Sequence, residues 1–298
     1  MSRVLEPIRS RHNPLFRRLL DARRRGSPDL ALIFLEGAKL LEEALDAGVA
    51  VVEVALSPRV LEASRAARAV ARAESAGAAV RLMEEALVAS LSEMENSPGL
   101  LALARRPSFD EARIFSSATP LVAVAVQIQN PGNLGGLLRT AEAAGATGAY
   151  LTEGTADPFS WKALRGSMGS AFRLPHAGAL PPGEALALLR RRGVALVAAV
   201  IEGGVPYDEA DLAGPVALLF GNEGAGLPPE VAGAAGQRVC IPLHGPAESL
   251  NVGVAAGVLL FEAARQRRSK SRSPDAILGL RRGVGSRLQA RGSKERKS

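Results

Sequence analysis

Cysteine is nearly absent from this chain. Cys240 is the only cysteine among its 298 residues. A single thiol cannot form an intrachain disulfide framework or supply a cysteine-rich zinc site. We therefore expect a protein suited to a reducing cytoplasm, with no metal among its site groups.

Long apolar runs are also missing, and none approaches the ~20 residues that span a membrane. Residues 1–6, Met-Ser-Arg-Val-Leu-Glu, contain no apolar stretch like that of a secretory signal peptide. Both features favour a cytoplasmic protein. The 47% hydrophobic content still predicts buried cores, and the length predicts about two domains.

Positive charge is concentrated at the two ends of the chain. Residues 1–25 hold eight arginines and two acidic residues, and residues 265–298 hold twelve Lys/Arg and two acidic residues. These ends carry +6 and +10 within a total of +7, so the remaining 239 residues sum to −9. Basic ends are typical of polyanion binding, although merely solvated tails have the same composition.

The first hundred residues predict a small α/β unit, because short apolar runs alternate with helical patterns. Strand patterns lie at 31–35, 51–56 and 99–104, and helical patterns lie at 38–47 and 60–76. Pro107 cannot extend a central strand and marks a boundary. The predicted division is an N-terminal α/β domain at 1–107, a linker at 108–118, a second α/β domain at 119–267 and a basic flexible tail at 268–298.

The second unit opens with an apolar, β-branched run at 120–128, which is typical of a strand buried on both faces of a parallel sheet. Further strand patterns lie at 148–152, 194–200, 216–220 and 239–243, with helical patterns between most of them. A helix is predicted over 134–144, with Asn133 as N-cap and Gly145 as its stop. A final helix over 250–267 is apolar almost all round, so we expect it to be buried against the sheet or a second subunit.

Three blocks rich in glycine and amide side chains follow strand-like runs in this second unit. They are Asn130-Pro-Gly-Asn-Leu-Gly-Gly-Leu-Leu-Arg139, Phe220-Gly-Asn-Glu-Gly-Ala-Gly226 and Ile241-Pro-Leu-His-Gly-Pro-Ala-Glu-Ser-Leu-Asn251. The carboxyl ends of parallel strands meet at one edge of a sheet, where ligands bind. The blocks therefore predict one composite site.

The first block opens a helix, whose free backbone N–H groups favour an anion. The planar guanidinium of Arg139 suits a phosphate oxygen or a developing alkoxide. The second block has its glycines in the order G-x-x-G-x-G, unlike a dinucleotide fingerprint. In the third block Ser249 is predicted to cap the last helix, and Asn251 is the better functional candidate. Neither a Walker A loop nor a G-x-S-x-G elbow is present, which argues against ATPases and α/β-hydrolases.

In this order and spacing, the three blocks resemble the signature motifs of the SpoU (TrmH-type) RNA 2′-O-ribose methyltransferases of the SPOUT superfamily. The N-terminal segments Ile8-Arg-Ser-Arg-His-Asn-Pro14 and Phe34-Leu-Glu-Gly37 resemble the substrate-binding domain of the ribosomal-RNA branch. The segments Lys162-Ala-Leu-Arg-Gly-Ser-Met-Gly-Ser170 and Phe172-Arg-Leu-Pro175 resemble the stretch between the first two motifs. The resemblance covers most of the chain outside the basic tail.

This resemblance implies a parallel-sheet domain with a deep trefoil knot, a homodimer formed through that domain, and S-adenosylmethionine as methyl donor. It implies in-line attack of a ribose 2′-oxygen on the donor methyl. The implied catalytic residues are Asn130, Arg139, Glu223, Ser249 and Asn251, and the implied donor-binding residues are Gly221, Asn222, Gly224, Gly226, Ile241, Leu243 and Leu250. Because an arginine with a pKa above ~12 is a poor proton acceptor, we expect Arg139 to position a phosphate or stabilise the oxyanion.

RNA is the expected partner, most simply large-subunit ribosomal RNA, with contacts from Arg9, Arg11, Arg17, Arg18, Lys162 and Arg165. Three alternatives stay open at this stage. They are a transfer-RNA methyltransferase of the same fold, an antibiotic-resistance methyltransferase acting on ribosomal RNA, and a catalytically silent RNA-binding assembly factor.

Overall fold

The computed structural model describes residues 6–24, 31–62 and 64–271. The strands are β1 (Leu32–Glu36), β2 (Val51–Leu56), β3 (Ala79–Leu82), β4 (Leu100–Arg105), β5 (Leu121–Ala125), β6 (Gly148–Thr152), β7 (His176–Leu180), β8 (Ala195–Ala199), β9 (Val205–Pro206), β10 (Val216–Phe220) and β11 (Gln237–Cys240). The helices are α1 (Pro14–Arg24), α2 (Ala38–Asp46), α3 (Ser64–Ser75), α4 (Glu85–Leu91), α5 (Pro131–Ala143), α6 (Trp161–Ser167), α7 (Ser170–Arg173), α8 (Pro182–Arg191), α9 (Pro229–Ala234) and α10 (Val252–Ser271). Short 3₁₀ turns lie at Pro58–Glu62 and Glu111–Phe115.

The first sheet has the strand order β1-β4-β2-β3. β4 pairs antiparallel with both β1 and β2, and β2 pairs parallel with β3. One face is covered by α1 and α4, where Phe16 and Leu19 pack with Val88. The other face is covered by α2 and α3. These residues form the small α/β unit that the sequence predicts.

The second sheet is parallel throughout its described pairs, with the strand order β7-β6-β5-β10-β8-β11-β9. Every residue of β5, β6 and β10 is buried, which explains the uninterrupted apolar runs in the sequence. α5 and α10 cover one face and α8 covers the other. The prediction of an α/β protein with a parallel sheet is confirmed. Among the described helices, none is long and apolar enough to cross a membrane.

The start of α5 differs from the prediction. Asn130, not Asn133, is the N-cap, and its Oδ1 accepts hydrogen bonds from the backbone N–H groups of Gly132 at 2.8 Å and Asn133 at 3.3 Å. Pro131 has no N–H, and the N–H of Leu134 bonds to the Asn130 carbonyl. The first turn therefore has no free donor for an anion, and the expectation of an anion at this helix start is wrong. The stop at Gly145 is confirmed, since α5 ends at Ala143 and Gly145 has φ +79°.

The start of α10 also differs from the prediction. Asn251, not Ser249, caps the helix, because Asn251 Oδ1 accepts from the Gly253 N–H at 2.9 Å. Residues Ala256, Leu259, Leu260 and Ala263 are buried inside the chain. Val254 and Phe261 are 54% and 48% exposed, so part of the predicted all-buried helix lacks a partner within the described chain.

The far end of α10 is held by Arg267. Its guanidinium donates to the carbonyls of Thr119, Pro120, Leu212 and Gly214 at 2.5–3.3 Å. Burial lowers the pKa of Arg267 from its ordinary value. Arg267 therefore has a structural role, although it was counted with the basic C-terminal charge. The predicted tail at 268–298 begins inside α10, which continues to Ser271, and residues 272–298 lie outside the described residues.

The segment predicted as a linker, 108–118, is mostly exposed but is anchored by one buried side chain. The 3₁₀ turn within it is capped by Asp110, whose Oδ1 accepts from the Ala112 N–H at 2.9 Å. Ile114 is fully buried in the core beneath β6. The domain boundaries themselves stay a prediction.

His176, at the start of β7, predicts acid sensitivity of the fold. Burial between Phe109 and Phe159 lowers its pKa from 6.5 to about 4. Between these two values the unfolded chain binds more protons than the folded chain, so the free energy of unfolding falls as pH is lowered. We expect His176 to account for up to roughly 3 kcal/mol of that loss. Urea unfolding from pH 7 to pH 4 should show a shallower pH slope for His176→Phe, and His244→Asn should keep the wild-type slope.

Candidate active site

A cavity of about 440 Å³ opens at the carboxyl edge of the parallel sheet, where β10 and β11 end. It is referred to below as the donor cavity. Every residue predicted to bind the donor lines it, as do three of the predicted catalytic residues. These lining residues are Gly221, Asn222, Gly224, Gly226, Ile241, Leu243 and Leu250, together with Glu223, Ser249 and Asn251.

The second block forms a closed loop at one wall of the donor cavity. The backbones of Asn222 and Gly226 exchange two hydrogen bonds of 2.9 Å. The Asn222 side chain accepts from the N–H groups of Gly224 and Ala225, and it donates to the Gln127 carbonyl at 3.1 Å. Asn222 therefore shapes the loop and fastens it to the end of β5, which is a structural reason for an amide at this position.

Gly221 permits this loop to close. A Cβ at Gly221 would lie less than 3.0 Å from the carbonyl group of Gly226 and the backbone nitrogen of Leu227. These neighbours are backbone atoms and cannot move aside without opening the loop. Gly224 differs, because the nearest atom to a Cβ there is Asn222 Oδ1 at 3.7 Å.

Asn133 joins the three blocks by side-chain hydrogen bonds. Its Nδ2 donates to Glu223 Oε1 at 2.8 Å, and its Oδ1 accepts from Asn251 Nδ2 at 3.0 Å. Block one is thereby connected to block two across 90 residues and to block three across 118 residues. The prediction that the blocks form one composite site agrees with this geometry.

Sequence reasoning missed Asn133 and Gln127 as site residues. Asn133 was given a capping role, although Pro131 at the first helical position indicates that the residue before it is the cap. Gln127 has φ +53° and holds the carbonyl that receives Asn222. No sequence signal distinguishes that residue in the run after β5.

Two predicted catalytic residues lie outside the lining of the donor cavity. The Asn130 side-chain oxygen is engaged in capping α5. Arg139 lies further along α5 and is exposed, and its side chain makes no hydrogen bond or ion pair with another described residue. This placement is compatible with a contact to RNA, and Arg139 is not among the residues that line the donor cavity.

Glycine contacts set the position of α6 against α5. A Cβ at Gly135 would lie 2.8 Å from the Ser167 backbone nitrogen, so only glycine allows this approach. α6 thereby presents Lys162 and Arg165 to solvent, and the Arg165 guanidinium lies 5.4 Å from the centroid of the Trp161 ring. These two cations are on the same side of the sheet as α5.

The N-terminal RNA candidates are less uniform than predicted. Arg9, Arg11 and Arg17 are exposed, and Arg17 contacts His12 Nδ1 at 3.0 Å. Arg18 forms an ion pair with Glu53, so its charge is already balanced. Arg18 differs in this respect from Arg9, Arg11 and Arg17, which form no ion pair with a described residue.

Comparison with known proteins agrees with this geometry. Residues 120–261 match the model of the SpoU rRNA Methylase family, and residues 5–117 match the model described as "Thiostrepton-resistance methylase, N terminus". The 23S rRNA (guanosine(2553)-2′-O)-methyltransferase of Bacillus subtilis is 34% identical over 227 residues, covering 76% of this chain and 86% of that protein. The chain belongs to the SpoU rRNA methylase family.

Other relatives of this SpoU methylase cover most of its length. The 23S rRNA (adenosine(1067)-2′-O)-methyltransferase of Streptomyces laurentii is 30% identical, over 90% of this chain and 98% of that protein. The AdoMet-bound structure of the SpoU methyltransferase AviRb from Streptomyces viridochromogenes has a TM-score of 0.77 at 29% identity, covering 86% of this chain and 99% of that one. The AdoMet-bound rRNA methyltransferase from Sinorhizobium meliloti has a TM-score of 0.76 at 32% identity, covering 87% and 97%. The family resemblance seen in the sequence is confirmed.

Proposed function

We propose that this SpoU methylase transfers a methyl group from S-adenosylmethionine to a ribose 2′-hydroxyl of large-subunit ribosomal RNA. The observation that supports it most directly is the Glu223–Asn133–Asn251 chain at the rim of the donor cavity. That chain joins all three motif blocks at one point. Relatives that methylate 23S rRNA at a ribose, and related structures with AdoMet bound, support the substrate and donor classes.

The donor cavity fits S-adenosylmethionine in size and chemistry. Its volume of about 440 Å³ lies within the range of small-molecule sites. Ile241, Leu243 and Leu250 offer apolar contacts, and the backbone of the Gly221–Gly226 loop offers polar ones. Leu243 and Leu250 are 37% and 36% exposed, so a bound donor would cover apolar surface at this rim. When bound, the donor supplies a methyl group that its sulfonium makes electrophilic.

The protein's own contribution is to align the RNA with the donor and to assist removal of the proton from the ribose 2′-hydroxyl. Glu223 is the one carboxylate among the described residues that line the donor cavity, and Asn133 holds its Oε1. Its Oε2 is available to accept a hydrogen bond from the ribose 2′-hydroxyl. Ser249 and Asn251 orient the ribose at the same rim. The planar guanidinium group of Arg139 binds the adjoining phosphate or the developing oxyanion.

The reaction is tested with purified protein, labelled S-adenosylmethionine and unmodified 23S rRNA, with transfer RNA as a parallel substrate. We expect label in 23S rRNA alone, and nuclease digestion followed by mass spectrometry should recover a 2′-O-methylated nucleotide. A methyl group on a base would contradict the reaction, and label in transfer RNA alone would contradict the substrate class.

We further propose that the division at residues 107 and 119 separates an RNA-binding domain from a catalytic domain that is threaded as a trefoil knot. The central position of β10 between β5 and β8 and the return of α10 onto α5 support the knot.

The exposed Val254 and Phe261 on α10 support a homodimer through this domain. Sedimentation of wild type and of Phe261→Lys tests it, since a dimeric wild type and a monomeric variant are expected. The ribosomal-RNA relatives and the single cysteine support a cytoplasmic location.

A further inference from the structure

A second cavity, of about 480 Å³, lies between the two sheets. It is called the junction cavity below. One wall is the turn at 47–50, which connects α2 to β2 in the first sheet unit, and the opposite wall is Phe172 and Arg173 of α7 in the second. The segment that crosses from one unit to the other supplies the rest, including Arg105, Arg106, Phe109 and Arg113.

The lining is strongly basic. It contains four arginines, and no acidic side chain occurs among the described residues that line it. Two of the arginines are neutralised from outside the cavity. Arg106 bonds both carboxylate oxygens of Asp157, at 2.5 and 3.0 Å, and Arg173 bonds Glu142 and Glu43.

Arg105 and Arg113 have no such partner. Both are exposed, and neither side chain makes a hydrogen bond or ion pair within the parts of the chain that the structure describes. Two cationic side chains line one cavity with no carboxylate paired to either, so an anion bound there would be attracted by both. The guanidinium group of arginine matches the oxygens of a phosphate in geometry as well as in charge.

The position of the junction cavity relates it to the active site. Its Arg173 bonds Glu142, which lies near the end of α5, nine positions after Asn133 at the donor cavity. Nine helical residues span about 14 Å. Arg139 lies between them, three residues before Glu142 and so next to it on the helix surface. Residues nine apart on an α-helix lie on opposite sides of it, so an RNA strand that contacted both cavities would cross α5 near Arg139.

We propose that the junction cavity is an RNA-phosphate site, in which Arg105 and Arg113 bind the phosphodiester backbone of the substrate RNA. This inference rests on the proposed function, and it adds a contact that spans both sheet units. The half-buried ring of Phe109 lines the same cavity and offers an apolar surface for the adjoining ribose or base. RNA bound here would also fix the two units relative to each other at the moment of methyl transfer.

The test is RNA affinity as a function of salt for the double variant Arg105→Gln/Arg113→Gln, in the full chain with 23S rRNA as probe. Each lost phosphate contact lowers the slope of log K against log salt by about 0.7 to 0.9. We therefore expect a slope smaller by roughly 1 to 2, and RNA binding weakened about tenfold at moderate salt. S-adenosylmethionine binding should be unchanged, because neither arginine lines the donor cavity.

Arg68→Gln/Arg191→Gln is the matched control, since it removes the same charge from two exposed arginines that line neither cavity. A salt slope equal to that of this control would overturn the proposal. Arg105→Lys/Arg113→Lys keeps both charges and should restore most of the slope. If inorganic phosphate stabilised the wild type alone while RNA binding of the Gln variant stayed intact, a small anion would be the ligand and the proposal would be wrong. Failure of the wild type to methylate RNA would instead contradict the proposed function.

Discussion

Gly221→Ala is expected to cause a severe loss of S-adenosylmethionine binding and, with it, of methyl transfer. The added methyl group would overlap the carbonyl group of Gly226 and the nitrogen of Leu227, all of which are backbone atoms. The loop must open to accommodate it, and opening breaks the paired hydrogen bonds between Asn222 and Gly226. Isothermal titration should show affinity weakened by more than about 100-fold, which corresponds to roughly 3 kcal/mol.

Gly224→Ala is the control for this prediction, because it adds the same methyl group to the same loop with its nearest neighbour at 3.7 Å. We expect it to bind the donor within a few-fold of wild type. Thermal unfolding without donor should change little for either variant, since the loop lies at the exposed edge of the sheet. Equal donor affinity for Gly221→Ala and Gly224→Ala would refute the importance of this close approach.

Arg139→Ala is expected to lower the rate of methyl transfer by about 10² to 10³, which corresponds to roughly 2.7–4 kcal/mol of transition-state stabilisation. Arg139 is exposed on α5 and outside the donor cavity, so its guanidinium is free to meet RNA. Donor affinity should therefore stay at the wild-type value. Single-turnover kinetics at saturating RNA, together with donor titration, separates these effects.

Arg139→Lys tests what the guanidinium contributes beyond its charge. Lysine keeps a cation but cannot form two parallel hydrogen bonds to one phosphate. We expect a rate between those of wild type and Arg139→Ala. Full turnover with unchanged RNA affinity would show that the bidentate role is wrong. Arg191→Ala, on the opposite face of the sheet, should behave as wild type.

The parallel sheet could be predicted because its central strands are buried on both faces. β10 has the bounds that its apolar run predicts, and the structure places β5 and β6 within their predicted runs. β7 could not be found in the same way. Its sequence, His-Ala-Gly-Ala-Leu, has exposed positions, a register shift and a residue, Ala179, with φ +71°. β7 is an irregular strand at the edge of the sheet, and its sequence has no clear apolar period.

The helices of the first unit show a different limit. α1 was not predicted, because arginines dominate its sequence and only Leu15, Phe16 and Leu19, at helical spacing, are buried on the sheet. β3 and α4 were missed as well, since each is a short element with few residues to establish a period.

Site residues could be predicted by type but not fully by role. The motif blocks identified the donor-cavity lining, because glycine and amide residues at strand ends are required by that geometry. The division of tasks among the asparagines could not be predicted, since each amide offers both a donor and an acceptor. Asn251 uses both, capping α10 with its oxygen and holding Asn133 with its nitrogen.

Because Asn251 both caps α10 and bonds Asn133, the site can be completed only after this late part of the chain has been synthesised. The first two blocks are complete once residue 226 has been made, but Asn133 gains its second partner only when the chain reaches residue 251 and α10 begins to form behind it. A nascent chain that ends before α10 would therefore hold its glycine loop and RNA-facing helix without the contact that aligns them. We expect methyl transfer to require the last helix. C-terminal truncations that remove α10 should therefore abolish activity, and truncations that leave it intact should retain activity.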